Sequence, residues 1–202
     1  MTETRQRGRL IVLAGPSGVG KSSLVHAIRE RYPELWFSVS ATTRQQRAGE
    51  VEGLDYHFVS PAEFDRMIAD GELLEWAEIH RGAHRSGTPA KPILERLASG
   101  KPALVEVDLA GARAIRRAIP DALLVFIAPP SWEELVHRLV GRGTESSASV
   151  RRRLTTAREE LAARAEFDVE VVNDDVRRAA NDLLTLITGP QFDQPRQPSG
   201  LH

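Results

Sequence analysis

The stretch Leu10-Ile11-Val12-Leu13-Ala14-Gly15-Pro16-Ser17-Gly18-Val19-Gly20-Lys21-Ser22 decides how the rest of the chain is read. Its second half meets the pattern G-x-x-x-x-G-K-[ST], and its apolar first half is the strand from which such a loop departs. A helical segment follows at once in Ser23-Leu24-Val25-His26-Ala27-Ile28-Arg29. Strand, loop and helix in that order form a phosphate cradle: successive backbone N–H groups and the positive helix end wrap anionic oxygens. The glycines allow the crowded or left-handed backbone that the cradle needs. Residues Gly15, Pro16, Ser17, Gly18, Val19, Gly20, Lys21, Ser22 and Ser23 are therefore expected to hold a nucleoside triphosphate. Lys21 would reach the β- and γ-phosphates, and the Ser22 hydroxyl would ligate Mg2+. Among 27 basic residues only Lys21, Lys91 and Lys101 are lysines, so an arginine-biased chain keeps a lysine where the loop calls for one.

Composition bounds the rest. The chain has 202 residues, 41% hydrophobic and 27% charged, enough for a full core in one globular unit. A net charge of −1 argues against a protein that coats nucleic acid or a membrane surface, although local arginine clusters remain available for phosphate. The absence of cysteine excludes a disulfide framework and thiol chemistry. The N-terminal segment is polar, and the longest apolar stretch, Ala122 to Ala128, is too short to span a bilayer. The expectation is a soluble cytoplasmic protein acting on small molecules, with monomer and homo-oligomer both open.

Past the loop, strand-length apolar runs alternate with segments of helical period, which predicts an α/β fold with a largely parallel sheet. Strands are expected near 9–14, 103–107, 122–127 and 169–172, and helices near 20–31, 91–98, 111–118, 131–140, 150–165 and 176–187. Residues from about 40 to 88 break this rhythm and read as a small, mostly β insertion with one helix near 61–69. Gly141-Arg142-Gly143-Thr144-Glu145-Ser146-Ser147 reads as a mobile break between two helices, and the tail from Gly189 as disordered. No internal repeat is present.

A phosphate loop alone leaves the reaction open, since switches, motors and small-molecule kinases share it. Within the insertion, Arg44 and Arg47 stand three residues apart among hydroxyl-bearing neighbours, with Tyr56 nearby. They make a second anion site plausible, because a guanidinium pairs with phosphate oxygens bidentately; a solvated basic loop is the bland alternative. Arg138 and Arg142 flank the glycine-rich break and Arg153 lies in the next helix, so three cations could meet a transferring phosphoryl group.

The runs GPSGVGKSS, SVSATTRQQRAGEVEG, DYHFV, LLEWAEI, VEVDLAGA, FIAPPS, GRGTE and VVNDD resemble the guanylate kinases, from residue 9 to 188 and in the same order. The resemblance implies a P-loop NTPase fold with a GMP-binding insertion at 40–90, a core at 9–39 and 91–188, and a lid near 138–154. The tail segments would be 1–8 and 189–202. It implies ATP-dependent phosphorylation of GMP, and of dGMP, in purine nucleotide salvage and GMP recycling. Arg44, Arg47 and Tyr56 would hold the GMP phosphate, while Ser40, Glu75, Thr88 and Asp108 read guanine. Asn173 would contact the adenine of ATP, though a turn after a strand also favours Asn. Lys21, Arg44, Arg138, Arg142 and Arg153 would be catalytic. Guanine chemistry agrees: N1–H and the 2-amino group are donors and O6 an acceptor, so carboxylates plus a hydroxyl complement it and mismatch adenine.

Two departures from that family stand out. A segment usually Tyr-Tyr-Gly is here His80-Arg81-Gly82-Ala83-His84-Arg85-Ser86-Gly87-Thr88, which loses a phosphate-contacting tyrosine and leaves Ser86 or Arg85 as replacements. Glu106 stands where the family usually has Asp. Two other readings are a non-catalytic guanylate-kinase-like interaction module and a different small-molecule kinase of the same fold. The first typically lacks an intact phosphate loop, and the second should lack Ser40, Glu75 and Asp108.

Overall fold

The computed structural model describes residues 7–79, 82–140 and 147–188. In chain order the elements are β1 (Leu10–Ala14), α1 (Lys21–Arg31), β2 (Ala41–Thr42), β3 (His57–Phe58), α2 (Pro61–Ala69), β4 (Leu73–Ile79), β5 (His84–Pro89) and α3 (Ala90–Ala98). There follow β6 (Ala103–Glu106), α4 (Leu109–Ala118), β7 (Leu123–Ala128), α5 (Trp132–Val140), α6 (Ser147–Ala162), a 3-10 turn (Ala163–Glu166), β8 (Val169–Val172) and α7 (Val176–Thr188). The chain forms two compact units, one of Met1–Leu13 with Glu34–Ala122 and the other of Ala14–Pro33 with Leu123–His202.

In the first unit β1 pairs in parallel with β6, from Leu10 opposite Ala103 to Leu13 opposite Glu106. In the second, β7 pairs in parallel with β8, from Val125 opposite Val169 to Ala128 opposite Val172. Every residue of β1 and β7 is buried, which is why neither shows the polar alternation of a half-exposed strand. The four strands expected from the apolar runs are these four.

The insertion folds as a second sheet of order β3-β2-β5-β4. β4 and β5 are antiparallel, with Glu75 opposite Thr88 and Ile79 opposite His84, whereas β2 and β3 run parallel. Helix α2 covers this sheet and occupies the span 61–69 that the sequence predicts. Its start is written locally: Ser60 accepts from the Glu63 N–H at 3.1 Å and Pro61 sits at the first helical position. Phe64 and Met67 pack against Ala41, with Val59, Ile68 and Leu73 around them. Phe64 also meets Trp76 edge-on, 6.5 Å between centroids.

Helix bounds differ from expectation where caps decide them. α1 begins at Lys21 because Gly20 is left-handed, with φ of 96°. α4 begins at Leu109, two residues early, because the Asp108 side chain caps it through the Gly111 N–H at 2.7 Å. The long helix expected over 150–165 starts at Ser147 and tightens into the 3-10 turn at Ala163. The mobile break expected at 141–147 and the tail expected to be disordered fall outside the described residues, apart from Ser147.

Phe64 is fully buried and fills the insertion's small core. Phe64→Ala is expected to destabilise the protein by about 3–5 kcal/mol in urea unfolding, and Phe64→Leu by much less, because a smaller cavity remains.

Candidate active site

The phosphate loop is shaped by what lies beneath it. A Cβ on Gly15 would sit 2.3 Å from the Ile127 carbonyl oxygen, so only glycine lets the chain leave β1 there. At Gly20 the left-handed backbone coincides with close approach, since a Cβ would lie 2.7 Å from Asn173 Nδ2. That amide donates to the Val19 carbonyl at 2.8 Å, and Arg138 Nη1 donates to the same oxygen at 3.2 Å. Arg138 is held in turn by the Asn173 carbonyl at 3.2 Å and by Glu134, which accepts from Nε at 2.9 Å. Val19 is buried beneath this pair of donors.

Lys21 Nζ donates to the carbonyls of Gly15 at 2.7 Å and Pro16 at 3.3 Å, so the ammonium folds back over its own loop. Ser22 and Ser23 occupy the first turn of α1 and are exposed. At the loop tip the Ser17 N–H donates to Glu160 Oε2 at 3.0 Å, which fastens the loop to α6. Arg153, also on α6, donates to the Leu139 carbonyl at 3.2 Å. Of the three arginines expected around the transferring group, Arg138 and Arg153 thus bond to backbone carbonyls, and Arg142 lies outside the described residues. Asn173 is 2% exposed, and its Oδ1 is buried with no hydrogen-bond partner among the described residues.

The first unit holds the second constellation. Arg44 and Glu50 form a bidentate pair, Nη2 to Oε1 at 2.7 Å and Nη1 to Oε2 at 3.0 Å. Nη1 also donates to the Gln45 carbonyl at 2.8 Å, and the guanidinium lies 5.1 Å above the Tyr56 ring and 5.8 Å above that of Phe58. The Arg47 N–H donates to Glu50 Oε2 at 2.8 Å, so one carboxylate orders both ends of the arginine segment. The hydrogen bond from Arg44, then that from the Arg47 backbone, holds the Glu50 carboxyl below its ordinary pKa, and the same pair raises that of Arg44. Arg47 itself is exposed.

Across the β4–β5 pair, Thr88 Oγ1 donates to Glu75 Oε1 at 2.5 Å. Thr88 is fully buried, and Ser40 is half-buried immediately before β2. Asp108, two residues past β6, accepts through Oδ1 from the Gly111 N–H as its capping bond. Burial pushes the Glu75 carboxyl above its ordinary pKa; the Thr88 hydroxyl opposes that shift and the charge of Asp108 reinforces it. Glu75 and Thr88 on the paired strands β4 and β5 thus stand near Asp108, which follows β6.

The segment that lost a tyrosine has its own logic. Arg85 Nη1 donates to Asp65 at 2.5 Å, Nη2 to the Pro61 carbonyl at 2.9 Å, and the guanidinium covers the Phe64 ring at 4.9 Å. Its backbone clamps Thr43, donating to Oγ1 at 2.8 Å. Arg85 is thereby drawn onto α2 as a packing and hydrogen-bonding residue. Sequence reasoning missed Glu50, which lies inside the quoted arginine stretch and is signalled only by an acid among cations. It also missed Glu160, whose contact with Ser17 spans 143 residues and leaves no local pattern.

The family model described as guanylate kinase matches residues 7–189. A guanylate kinase of Rhodococcus jostii (strain RHA1) is 62% identical over 197 residues, covering 98% of this chain and 93% of its own. One from Nocardia farcinica (strain IFM 10152) is 62% identical over 186 residues, covering 92% of this chain and 96% of its own. The crystal structure of guanylate kinase from Anaplasma phagocytophilum superposes with a TM-score of 0.72 at 30% identity, over 96% of this chain and 92% of that one. A family model matched from residue 7 to 189 and relatives 62% identical over nearly the whole chain place this protein in the guanylate kinase family.

Proposed function

We propose that the protein transfers the γ-phosphoryl group of ATP to a phosphate oxygen of GMP, giving ADP and GDP, and accepts dGMP likewise. The observation that carries this reading is the Glu75–Thr88 bond with Asp108 beside it, in the unit that also holds Arg44. Carboxylates next to a nucleotide would repel a phosphate, so they suit a base that presents N–H donors. In this reading residues 40–90 receive GMP, the segment near 138–154 brings arginines to the transferring group, and the core between 9 and 188 carries the phosphate loop. An interaction module without catalysis would need neither Lys21 nor the clamp beneath the loop.

Phosphoryl transfer asks the protein for position and charge neutralisation. Lys21 exchanges the carbonyls of Gly15 and Pro16 for β- and γ-phosphate oxygens. Arg44, Arg47 and Tyr56 hold the acceptor phosphate, while Arg138, Arg142 and Arg153 face charge that develops during transfer. Asn173 has one buried amide oxygen without a described partner, which suits the exocyclic amine of adenine. The donor set also fits Mg2+: Ser22 offers one hydroxyl oxygen, and this ion takes few protein oxygens alongside phosphates and water. When bound, it neutralises the oxygens of the triphosphate. A soluble cytoplasmic enzyme follows from the same reading, and no described helix is long and apolar enough to cross a membrane.

Lys21→Ala should lower kcat by about 10²–10³-fold with the circular dichroism spectrum unchanged, since it removes one preorganised charge. Near wild-type turnover would remove Lys21 from the chemistry.

Glu75 supplies a pH dependence whose sign is fixed by its raised pKa. It accepts from guanine only when ionised, so KM for GMP should rise as pH falls through that pKa, above the ordinary carboxylate range, while KM for ATP does not follow it. Glu75→Gln should remove this limb and raise KM for GMP by about 10- to 100-fold, the cost of a charge-assisted bond. A loss shared by both nucleotides would displace Glu75 from the guanine site.

Arg142→Ala should lower kcat by about 10²-fold with a smaller change in the GMP dissociation constant, and Arg142→Lys should recover only part of it. Unaltered kcat would make Arg142 a solvated charge.

A further inference from the structure

Gly111 donates its N–H to one acid of the proposed guanine reader, Asp108, and leaves open the space beside the other, Glu75. It is an ordinary residue of the first turn of α4, outside the left-handed backbone region, so the backbone itself does not require glycine. Glycine is also the poorest helix former after proline, so its presence there works against the helix. What excludes a side chain is space. A Cβ at this position would stand 3.0 Å from Val107 Cβ, 3.1 Å from Glu75 Oε2 and 3.3 Å from Asp108 Oδ1. All three are tighter than ordinary carbon contacts. The Gly111 N–H meanwhile donates to Asp108 Oδ1 at 2.7 Å.

We infer that Gly111 is a positioning residue for base specificity: its bare α-carbon leaves the room in which Glu75 Oε2 stands, and its N–H aims Asp108. The inference rests on the reading that these acids bind guanine. A methyl group at residue 111 would press on three neighbours that yield unequally. Val107 Cβ is fixed to the backbone that continues β6, whereas Glu75 Oε2 is the far end of a side chain and yields first. Glu75 Oε1 is pinned by Thr88 at 2.5 Å, so pushing Oε2 turns the carboxylate about that bond and tilts its acceptor plane. Hydrogen bonds weaken steeply with such misalignment. A guanine carrying both N1–H and a 2-amino group loses more from the tilt than a purine that carries N1–H alone. Phosphate binding, which uses neither acid, is spared.

The test is a double-mutant cycle on four proteins: wild type, Gly111→Ala, Glu75→Ala and the double variant. Each is assayed for kcat/KM with GMP and with IMP, which lacks the 2-amino group, for KM with ATP, and for Tm. Gly111→Ala is expected to cut the GMP-to-IMP preference about tenfold, less than the roughly 10²-fold that a 1 Å misplacement can cost. KM for ATP should stay within about twofold, as for a substitution that leaves ATP binding intact. In the Glu75→Ala background, where Oε2 is gone, the same substitution should leave the preference unchanged and lower Tm by less than it does in the wild type, since only the Val107 and Asp108 contacts remain.

An unchanged preference in Gly111→Ala, or an equal loss in both backgrounds, overturns the inference. If Gly111→Ala fails to fold, recovery of folding by Glu75→Ala supports the crowding of Oε2, and no recovery assigns the fault to Val107 and overturns it. A wild type that does not prefer GMP over IMP refutes the guanine reading instead. In that case the coupling in Tm between residues 75 and 111 still decides whether Gly111 positions Glu75.

Discussion

The carbonyl oxygen of Val19 accepts from the Asn173 amide at 2.8 Å and from the Arg138 guanidinium at 3.2 Å, and the phosphate loop takes its shape from that shared acceptor. In a trans peptide the C=O of one residue and the N–H of the next point in opposite directions. Turning the Val19 carbonyl down onto Asn173 therefore turns the Gly20 N–H away from it, toward where an anion would sit. Gly20 must be glycine for this, both for its left-handed φ and for the 2.7 Å a Cβ would leave to Asn173. The cradle is thus preorganised from below by groups at the ends of β8 and within α5. Binding a triphosphate need not create that orientation, and energy that would have gone into ordering the loop remains for holding the ligand.

Both constellations hold their charges on internal partners that the proposed substrates would replace. Lys21 rests on two loop carbonyls, Ser17 gives its N–H to Glu160, and Arg44 is gripped by Glu50. Each partner keeps the group oriented. Each also sets a cost, because an anion arriving at Ser17 or Arg44 must share or displace a carboxylate of like charge. Glu50 also accepts from the Arg47 backbone, so it can keep the arginine segment in shape while its grip on Arg44 loosens. Arg44 lies over the Tyr56 and Phe58 rings as well, and that contact survives an exchange of anionic partners.

What the sequence made legible follows from how local the cause is. The phosphate loop is contiguous, so strand, glycines, lysine and helix can be read together, and the strand-length apolar runs can be read as strands even though β6 and β8 each carry a glutamate. The α2 helix was legible to the residue because Ser60, Pro61 and Glu63 write its start within four positions. α4 starts two residues before the span its period predicts because Asp108 caps it through Oδ1, a bond compatible with a ligand on the other carboxylate oxygen. Glu160 and Gly111 were invisible, since each acts on a residue far along the chain. Asn173 reads in sequence as an adenine contact or a turn former, and only the fold adds that its donor end also holds Val19. Arg85 was weighed as a replacement for a lost tyrosine, but only the fold reveals that Asp65 and Phe64 claim it.

The proposed choice of base turns on a buried acid rather than on an added attraction. Glu75 is held in a half-buried site where desolvation and the charge of Asp108 both disfavour its ionised form. An N–H donor from a ligand relieves that penalty by solvating the carboxylate, so guanine would lower the raised pKa and be bound with release of a proton where Glu75 is partly protonated. Adenine offers a lone pair at N1 where guanine offers N–H. Facing Glu75, it would leave the carboxylate desolvated and oppose it with another acceptor. In the proposed reading the site would discriminate mostly by what the wrong base costs, since one well-placed acceptor supplies more selectivity than apolar fit alone can. Thr88 completes the arrangement: with its hydroxyl proton committed to Glu75 Oε1 it fixes which carboxylate oxygen remains, and Gly111 fixes where that oxygen stands.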